Sequence, residues 1–239
     1  MFICIDLGTA RNNMVCLYCR SCSRNRHVAR IILERLFFGV ISIAKIPLTT
    51  SIKILNTDTS GALYQQFVPM QSCIASGYFP DIELGTEIRK RVFCQDLQKL
   101  SFDKDEFDLV ISEDVFEHIR DCDKAFNEVY RVLKPGGYHI FTVPFRFDQL
   151  TLIRVDTSGS EDVFLLPPEY HGDYIREKIL AYRTFGIDLF FLLNSIGYQT
   201  QLILSQLEDW KHGIVNSYVF VSQKPFLELS CERKNNANL

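Results

Sequence analysis

No apolar stretch in this chain is long enough to cross a bilayer. The most apolar early run, Ile31 to Pro47, is interrupted by Glu34, Arg35 and Lys45, and its flanks do not suit a signal peptide. A basic excess is also missing. Lys and Arg number 26 against 29 Asp and Glu, a net charge of −3, which gives no support for an electrostatic nucleic-acid binder. There is no internal repeat, and no G-x-G-x-x-G follows the first strand-like run, which disfavours an NAD-dependent Rossmann enzyme. These absences leave a soluble, cytoplasmic protein with neither membrane nor nucleic acid as partner. At 239 residues the chain suits one domain with an appendage and is long enough for a substantial core.

Cysteine, by contrast, is abundant. Cys73, Cys94, Cys122 and Cys231 are scattered and read as small buried hydrophobes. Cys4, Cys16, Cys19 and Cys22 crowd the N-terminus, three of them in the C-x-x-C-x-x-C of VCLYCRSCSRNRH. Zinc takes four tetrahedral ligands, and Cys4, Cys16 and Cys19 with either Cys22 or His27 would supply them; reduced structural thiols are the other reading. The following Arg24-Asn25-Arg26 reads as a solvated helix start.

Beyond residues 1–27 the pattern alternates. Short apolar runs at Ile52–Leu55, Ser72–Ser76, Arg91–Cys94, Phe107–Ser112, Tyr138–Val143, Gln199–Leu204 and Tyr218–Ser222 predict seven strands. Helical spacing predicts helices over His27–Phe38, Ala62–Val68, Val115–Leu133 and Ile179–Leu193. Residues 145–178 read as a long lid-like segment and 227–239 as a disordered tail, leaving 28–226 as the main domain. Alternating strands and helices give an α/β fold, a Rossmann-like, doubly wound, mainly parallel sheet with helices on both faces. Such sheets bind ligands at the carboxyl ends of their strands. That rule selects Asn56 to Gly61, Ser76 to Tyr78, Asp96-Leu97 and Ser112 to Asp114.

One linker is chemically specific. In RVLKPGGYHIFTVP a proline stops the helix and Gly136-Gly137 permit a tight re-entry into the body. FDLVISEDVFEHI followed by AFNEVYRVLKPGGYHIFTVP resembles the centre of class I S-adenosylmethionine-dependent methyltransferases of the type 11 group. The likeness is close over Val92 to Pro144 and looser over Ile52 to Lys224. It implies S-adenosylmethionine as cofactor and methyl transfer to a small-molecule or glycan-like acceptor. It also implies that Asp96 accepts from the adenine amino group, that Leu97 covers the ring, and that Ser112 and Glu113 lie beside the methionine moiety. The family's glycine-rich first loop is here NTDTSG, so Asn56, Asp58 and Gly61 would have to serve. Ser76 stands where a carboxylate would hold the ribose, which removes charge-assisted hydrogen bonds of about 1.5–3 kcal/mol each. A degenerate, non-catalytic scaffold is the alternative these departures leave.

Asp114, Glu117 and His118 share one face if the helix starts there. They would hold a divalent cation or act as acid and base; otherwise Glu117 caps the helix and His118 orients a loop. The resemblance makes His118 the first choice of base for an oxygen acceptor. His171, in PPEYHGD of the long segment, is the second.

Overall fold

The computed structural model describes residues 1–4, 6–172, 178–205 and 209–226, so the expected tail and Cys231 lie outside the described residues. Eight strands form the central sheet: β1 (Ile54–Asn56), β2 (Cys73–Gly77), β3 (Glu87–Arg89), β4 (Val92–Cys94), β5 (Phe107–Glu113), β6 (Leu133–Thr142), β7 (Gln199–Leu204) and β8 (Tyr218–Gln223). Their order across the sheet is β7-β8-β6-β5-β1-β2-β4-β3. The five central strands from β6 to β4 pair in parallel; β8, β7 and the edge strand β3 join antiparallel. The sequence pattern predicts seven of these. The eighth, β3, is a short and mostly exposed edge whose pattern carries no apolar run.

Among the described residues five α-helices accompany the sheet: α1 (Ala10–Asn13), α2 (Ser23–Leu36), α3 (Ala62–Phe67), α4 (Cys122–Val132) and α5 (Leu189–Ile196). Alternation along the strands supplies both faces. Val110, Phe141 and Phe220 pack with Phe126 and Val129 of α4 and Leu193 of α5. Their neighbours Leu109, Ile111, Ile140 and Val219 pack with Ile31 and Ile32 of α2 and Phe67 of α3. Among the described residues no helix is long and apolar enough to cross a membrane.

The Lys-Pro-Gly-Gly linker is a bulge inside β6. Phe107 pairs with Leu133 but Leu109 pairs with Tyr138, so residues 134–137 loop out of an otherwise continuous strand. Gly136 takes φ +84. A Cβ on Gly137 would sit 2.9 Å from the Lys134 carbonyl oxygen and 3.1 Å from that of Phe107, so backbone passes where a side chain would be.

Two expected helices are corrected. Val115–Leu133 is not continuous: a single turn at Phe116–His118 is followed by a break, and α4 begins only at Cys122, capped by Asp121 accepting from the Lys124 N–H at 3.0 Å. The break is held open from elsewhere. Arg183 donates to the carbonyls of Phe116, Ile119 and Arg120 at 3.2, 2.5 and 2.8 Å, taking the place of helical N–H groups. Ile179–Leu193 is likewise a strand pair followed by the shorter α5, because Ile179–Ala181 pairs with Glu169–His171 and Arg183–Thr184 with Leu152–Ile153. Short apolar runs do not distinguish these states. A third ribbon joins Val155–Asp156 to Val163–Phe164, so the long segment is built of ribbons. The early helix also starts sooner than expected, at Ser23, with the Cys22 N–H donating to Asn25 Oδ1 at 2.9 Å.

Two histidines are buried neutral in this core. Burial pushes His139 down to about 3; it stacks on Phe141 and shares a 2.9 Å hydrogen bond with Ser112. Burial, aided by the charge of Arg30, pushes His27 down to about 4. Unfolded histidines titrate near 6.5, so below that pH the unfolded chain binds protons that the native chain refuses. Their contribution to stability is therefore complete above pH 6.5 and lost as pH falls toward 4 for His27 and toward 3 for His139. Each unit in that window costs up to about 1.4 kcal/mol per histidine. Urea midpoints at pH 7 and pH 5 should fall more steeply for wild type than for His139→Gln; equal slopes would refute the assignment.

Candidate active site

A cavity of about 1100 Å³ opens at the carboxyl ends of β1, β2, β4 and β5, where the chain's progress across the sheet reverses between β1 and β5. Six of the eight residues expected at a cofactor line it: Asp58, Gly61, Ser76, Asp96, Leu97 and Glu113. Asn56 and Ser112 do not. They lie beneath the floor at 2% and 1% exposure, Ser112 held by His139.

The first loop closes on itself. Asp58 accepts from the N–H groups of Ser60 at 3.0 Å and Gly61 at 2.8 Å, so its carboxylate is spent on its own backbone. A Cβ at Gly61 would lie 2.0 Å from Asp58 Oδ2, which explains the one glycine retained. Asn56 Oδ1 accepts from the Asp58 N–H at 3.3 Å, while its buried Nδ2 has no hydrogen-bond partner among the described residues. Asp96 accepts from the backbone and side-chain N–H groups of Gln98 at 2.8 to 3.2 Å, which leaves its carboxylate acceptor capacity toward the cavity.

The N-terminal residues form one wall of this cavity, which sequence reasoning missed. Arg11 on α1 clasps Asp114 with two hydrogen bonds of 2.9 and 2.7 Å, and Arg24 on α2 pairs with the same carboxylate. Asn25 donates to Glu113 Oε1 at 2.8 Å. The basic run is thus no solvated helix start. Burial opposes the charges on Arg24 and Asp114, yet the pairing outweighs it, raising the arginine and holding Asp114 well below the usual carboxylate range. Glu113 shifts the other way because burial exceeds the pull of Arg24. Nothing local in the sequence marks Arg11.

Asp114, at φ +53, is turned out of the face it was expected to share with Glu117 and His118. His171 comes in instead, from the ribbon of the long segment. Its Nδ1 lies 3.2 Å from His118 Nε2 and 3.9 Å from Glu117 Oε1, and His118 Nε2 lies 3.6 Å from that same oxygen. Glu117 is fully buried, and burial, with the Asp114 charge second, pushes its carboxyl well up. So His118 and His171, two separate expectations, form one cluster on the cavity wall.

The four N-terminal cysteines do not gather, which corrects the expected zinc set. Cys4 donates to the Asp6 carbonyl at 3.3 Å, Cys22 caps α2, and Cys19 points to Ser21 at 3.0 Å. Among the described residues the one group of His, Cys, Asp and Glu side chains within mutual ligating reach is Glu117, His118 and His171.

Residues 80–141, from the approach to β4 through most of β6, match the methyltransferase domain family of type 11. Over that quarter of its length the chain is similar to this family. Phosphoethanolamine N-methyltransferase 2 of Caenorhabditis elegans is 43% identical over 42 residues, 18% of this chain. The match spans a tenth of that relative's length. Solved structures of similar fold include an S-adenosylmethionine-dependent methyltransferase from Mesorhizobium loti, at 14% identity over 76% of this chain and 94% of that one, TM-score 0.45. Another is the Burkholderia thailandensis 1,6-didemethyltoxoflavin-N1-methyltransferase with bound S-adenosylhomocysteine, at 13% identity, 84% and 78% coverage and TM-score 0.46. The matched segment contributes Asp96, Leu97, Glu113, Glu117 and His118 to the cavity; the segments on either side contribute the arginine wall and His171.

Proposed function

We propose that this chain is an S-adenosylmethionine-dependent methyltransferase acting on a small-molecule acceptor, glycan-like compounds included. The observation that carries the reading is the cavity at the sheet's reversal point, whose walls include both Asp96 and the Glu117–His118–His171 cluster. At about 1100 Å³ it exceeds the roughly 300–1,000 Å³ of a pocket for one drug-sized ligand, leaving room for cofactor and acceptor together.

The residues fit the cofactor well at the adenine end and sparingly at the ribose end. Asp96 would accept from the adenine amino group, and Leu97 would cover the ring. Ser76 would offer one hydroxyl where a carboxylate would make two charged bonds. Bound there, the sulfonium supplies an electrophilic methyl group. The chain's own tasks are alignment, exclusion of water and removal of the acceptor's proton. His118 and His171, which line the same cavity, are the groups we assign to receive it.

Calorimetric titration with S-adenosylmethionine and S-adenosylhomocysteine tests the reading. Wild type should bind in the micromolar range, and Asp96→Ala should bind about 10- to 100-fold more weakly, as expected for one hydrogen bond to a charged group. Folded wild type that binds neither compound would replace the enzyme with the scaffold alternative.

A further inference from the structure

The N-terminal wall carries two cysteines that the cavity chemistry does not use. Cys16 ends the short ribbon in which Val15 and Cys16 pair with Ile3 and Phe2, and Cys19 follows three residues later. A closed turn joins them. The Arg20 N–H donates to the Cys16 carbonyl at 3.0 Å, and the Cys16 N–H donates to the Ser21 carbonyl at 2.9 Å. Residues three apart in a tight turn have Cα atoms within about 7 Å of each other, and a disulfide spans roughly 4.4–6.8 Å. The base of the turn is fixed from outside it. Arg26 donates to the Met14 carbonyl at 2.8 Å, to the Gly213 carbonyl at 2.6 Å and also to the Ser21 carbonyl.

The two thiols differ in access and surroundings. Cys16 is buried and Cys19 exposed. Burial acts to raise the Cys16 thiol, yet the backbone N–H groups of Cys19 and Tyr18, the Cys19 side chain and the Arg26 charge together bring it below its ordinary value. Other cysteines are engaged elsewhere. Cys22 Sγ lies 3.1 Å from Asn25 Oδ1 at the start of α2. Burial pushes Cys73 and Cys122 up to about 12. Cys94 is fully buried, its thiol donating to the Ile82 carbonyl at 3.3 Å.

We propose that Cys16 and Cys19 form a redox-active dithiol that a low-molecular-weight disulfide oxidises reversibly. The exposed Cys19 thiolate attacks the S–S bond of the small disulfide, forming a mixed disulfide and releasing one small thiolate. The Cys16 thiolate then attacks Cys19 Sγ. The Cys16–Cys19 bond forms, the mixed bond breaks and a second small thiolate leaves. Both cysteine protons end on the two released thiols, so the protein gives up two electrons and the small disulfide gains them. Val15, Arg20 and Cys22 all line the cavity, so the new bond would stiffen a strip of its wall. The dithiol stands apart from the methyltransferase reading and needs neither cofactor nor acceptor.

Reduced full-length protein should be treated with oxidised glutathione, its remaining thiols alkylated, and the product digested with trypsin. Cleavage after Arg11 and Arg20 isolates Asn12–Arg20, which holds Cys16 and Cys19 alone, while Cys22 falls in the next peptide, Ser21–Arg24. Wild type is expected to yield Asn12–Arg20 lighter by two hydrogens with neither thiol alkylated, and dithiothreitol should reverse the change. Cys16→Ser should stop at a glutathione adduct on Cys19, and Cys22→Ser should match wild type. The ratio of internal to mixed disulfide in this peptide should be higher for the native chain than for the chain unfolded in urea, where nothing holds the turn. Folded wild type that keeps the adduct, leaves both thiols free or links Cys19 to Cys22 would overturn the proposal. Equal ratios in native and unfolded chain would do the same.

Discussion

Asp114→Ala is expected to detach the N-terminal segment from the cavity and to cost about 3–5 kcal/mol in urea unfolding, the range for removing one partner of a buried ion pair. Asp114 is 17% exposed, while the side chains of Arg11 and Arg24 are 13% and 19% exposed. Both guanidinium groups would remain buried without their counter-ion, beside a Tyr218 ring only 4.9 Å from Arg11. The segment should then release, and trypsin should reach Arg11 and Arg24, whose side chains are largely buried in wild type. Replacing all three charges together, Arg11→Met, Arg24→Met and Asp114→Leu, should recover part of the loss because neither guanidinium stays buried without its counter-ion. The sign with pH follows from the depressed carboxyl. Its contribution is complete above the unfolded carboxylate value near 3.9 and is lost as pH falls through the lower folded value. An Asp114→Ala midpoint within experimental error of wild type would dismiss the latch.

Gly186→Ala should be nearly as damaging, by overpacking. A Cβ at this position would lie 2.3 Å from the Gln149 carbonyl oxygen, 2.3 Å from the Leu150 carbonyl carbon and 2.6 Å from the Thr151 nitrogen. No side-chain rotation relieves a collision with backbone, so one strand of the crossing must move. The crossing is stitched closely. Gly186 N–H donates to Thr151 Oγ1 at 3.1 Å, Ile187 N–H to the Gln149 carbonyl at 2.9 Å, and Thr151 N–H to Asp188 Oδ1 at 2.7 Å. The expected loss is about 3 kcal/mol or more, the upper end for small-to-large changes. Proteolysis should become faster across 145–172, whose base this crossing secures. Gly159→Ala is the control, since its nearest neighbour would be 3.9 Å away. Equal stability of the two variants would show that the crossing yields without cost.

What was legible in the sequence is local. Apolar runs such as Phe107–Glu113 and Tyr218–Gln223 declare buried strands, because both faces are covered and no polar alternation is needed. The proline and paired glycines at 135–137 announce a sharp backbone detour, although whether it links two elements or bulges one depends on the register with β5. Strand ends point to the cavity because parallel α/β sheets leave their crevice there, and Asp96, Ser76 and Glu113 were found by that rule.

The tertiary structure decided whatever depends on a partner far along the chain. Phe116 and Ile119 have helical spacing and are core-facing, yet the helix breaks between them and Cys122 because Arg183 takes up the carbonyls. Arg24 sits in a basic run that looks solvated, and only the fold places Asp114 and Glu113 against it. His118 and His171 are 53 residues apart, and a two-stranded ribbon sets them 3.2 Å from each other. The sequence by itself determined the sheet and the end of it that opens, since burial and backbone preference act over a few residues. Only the folded chain decided which charges meet there, because a guanidinium or an imidazole is defined by the neighbours that hold its hydrogens.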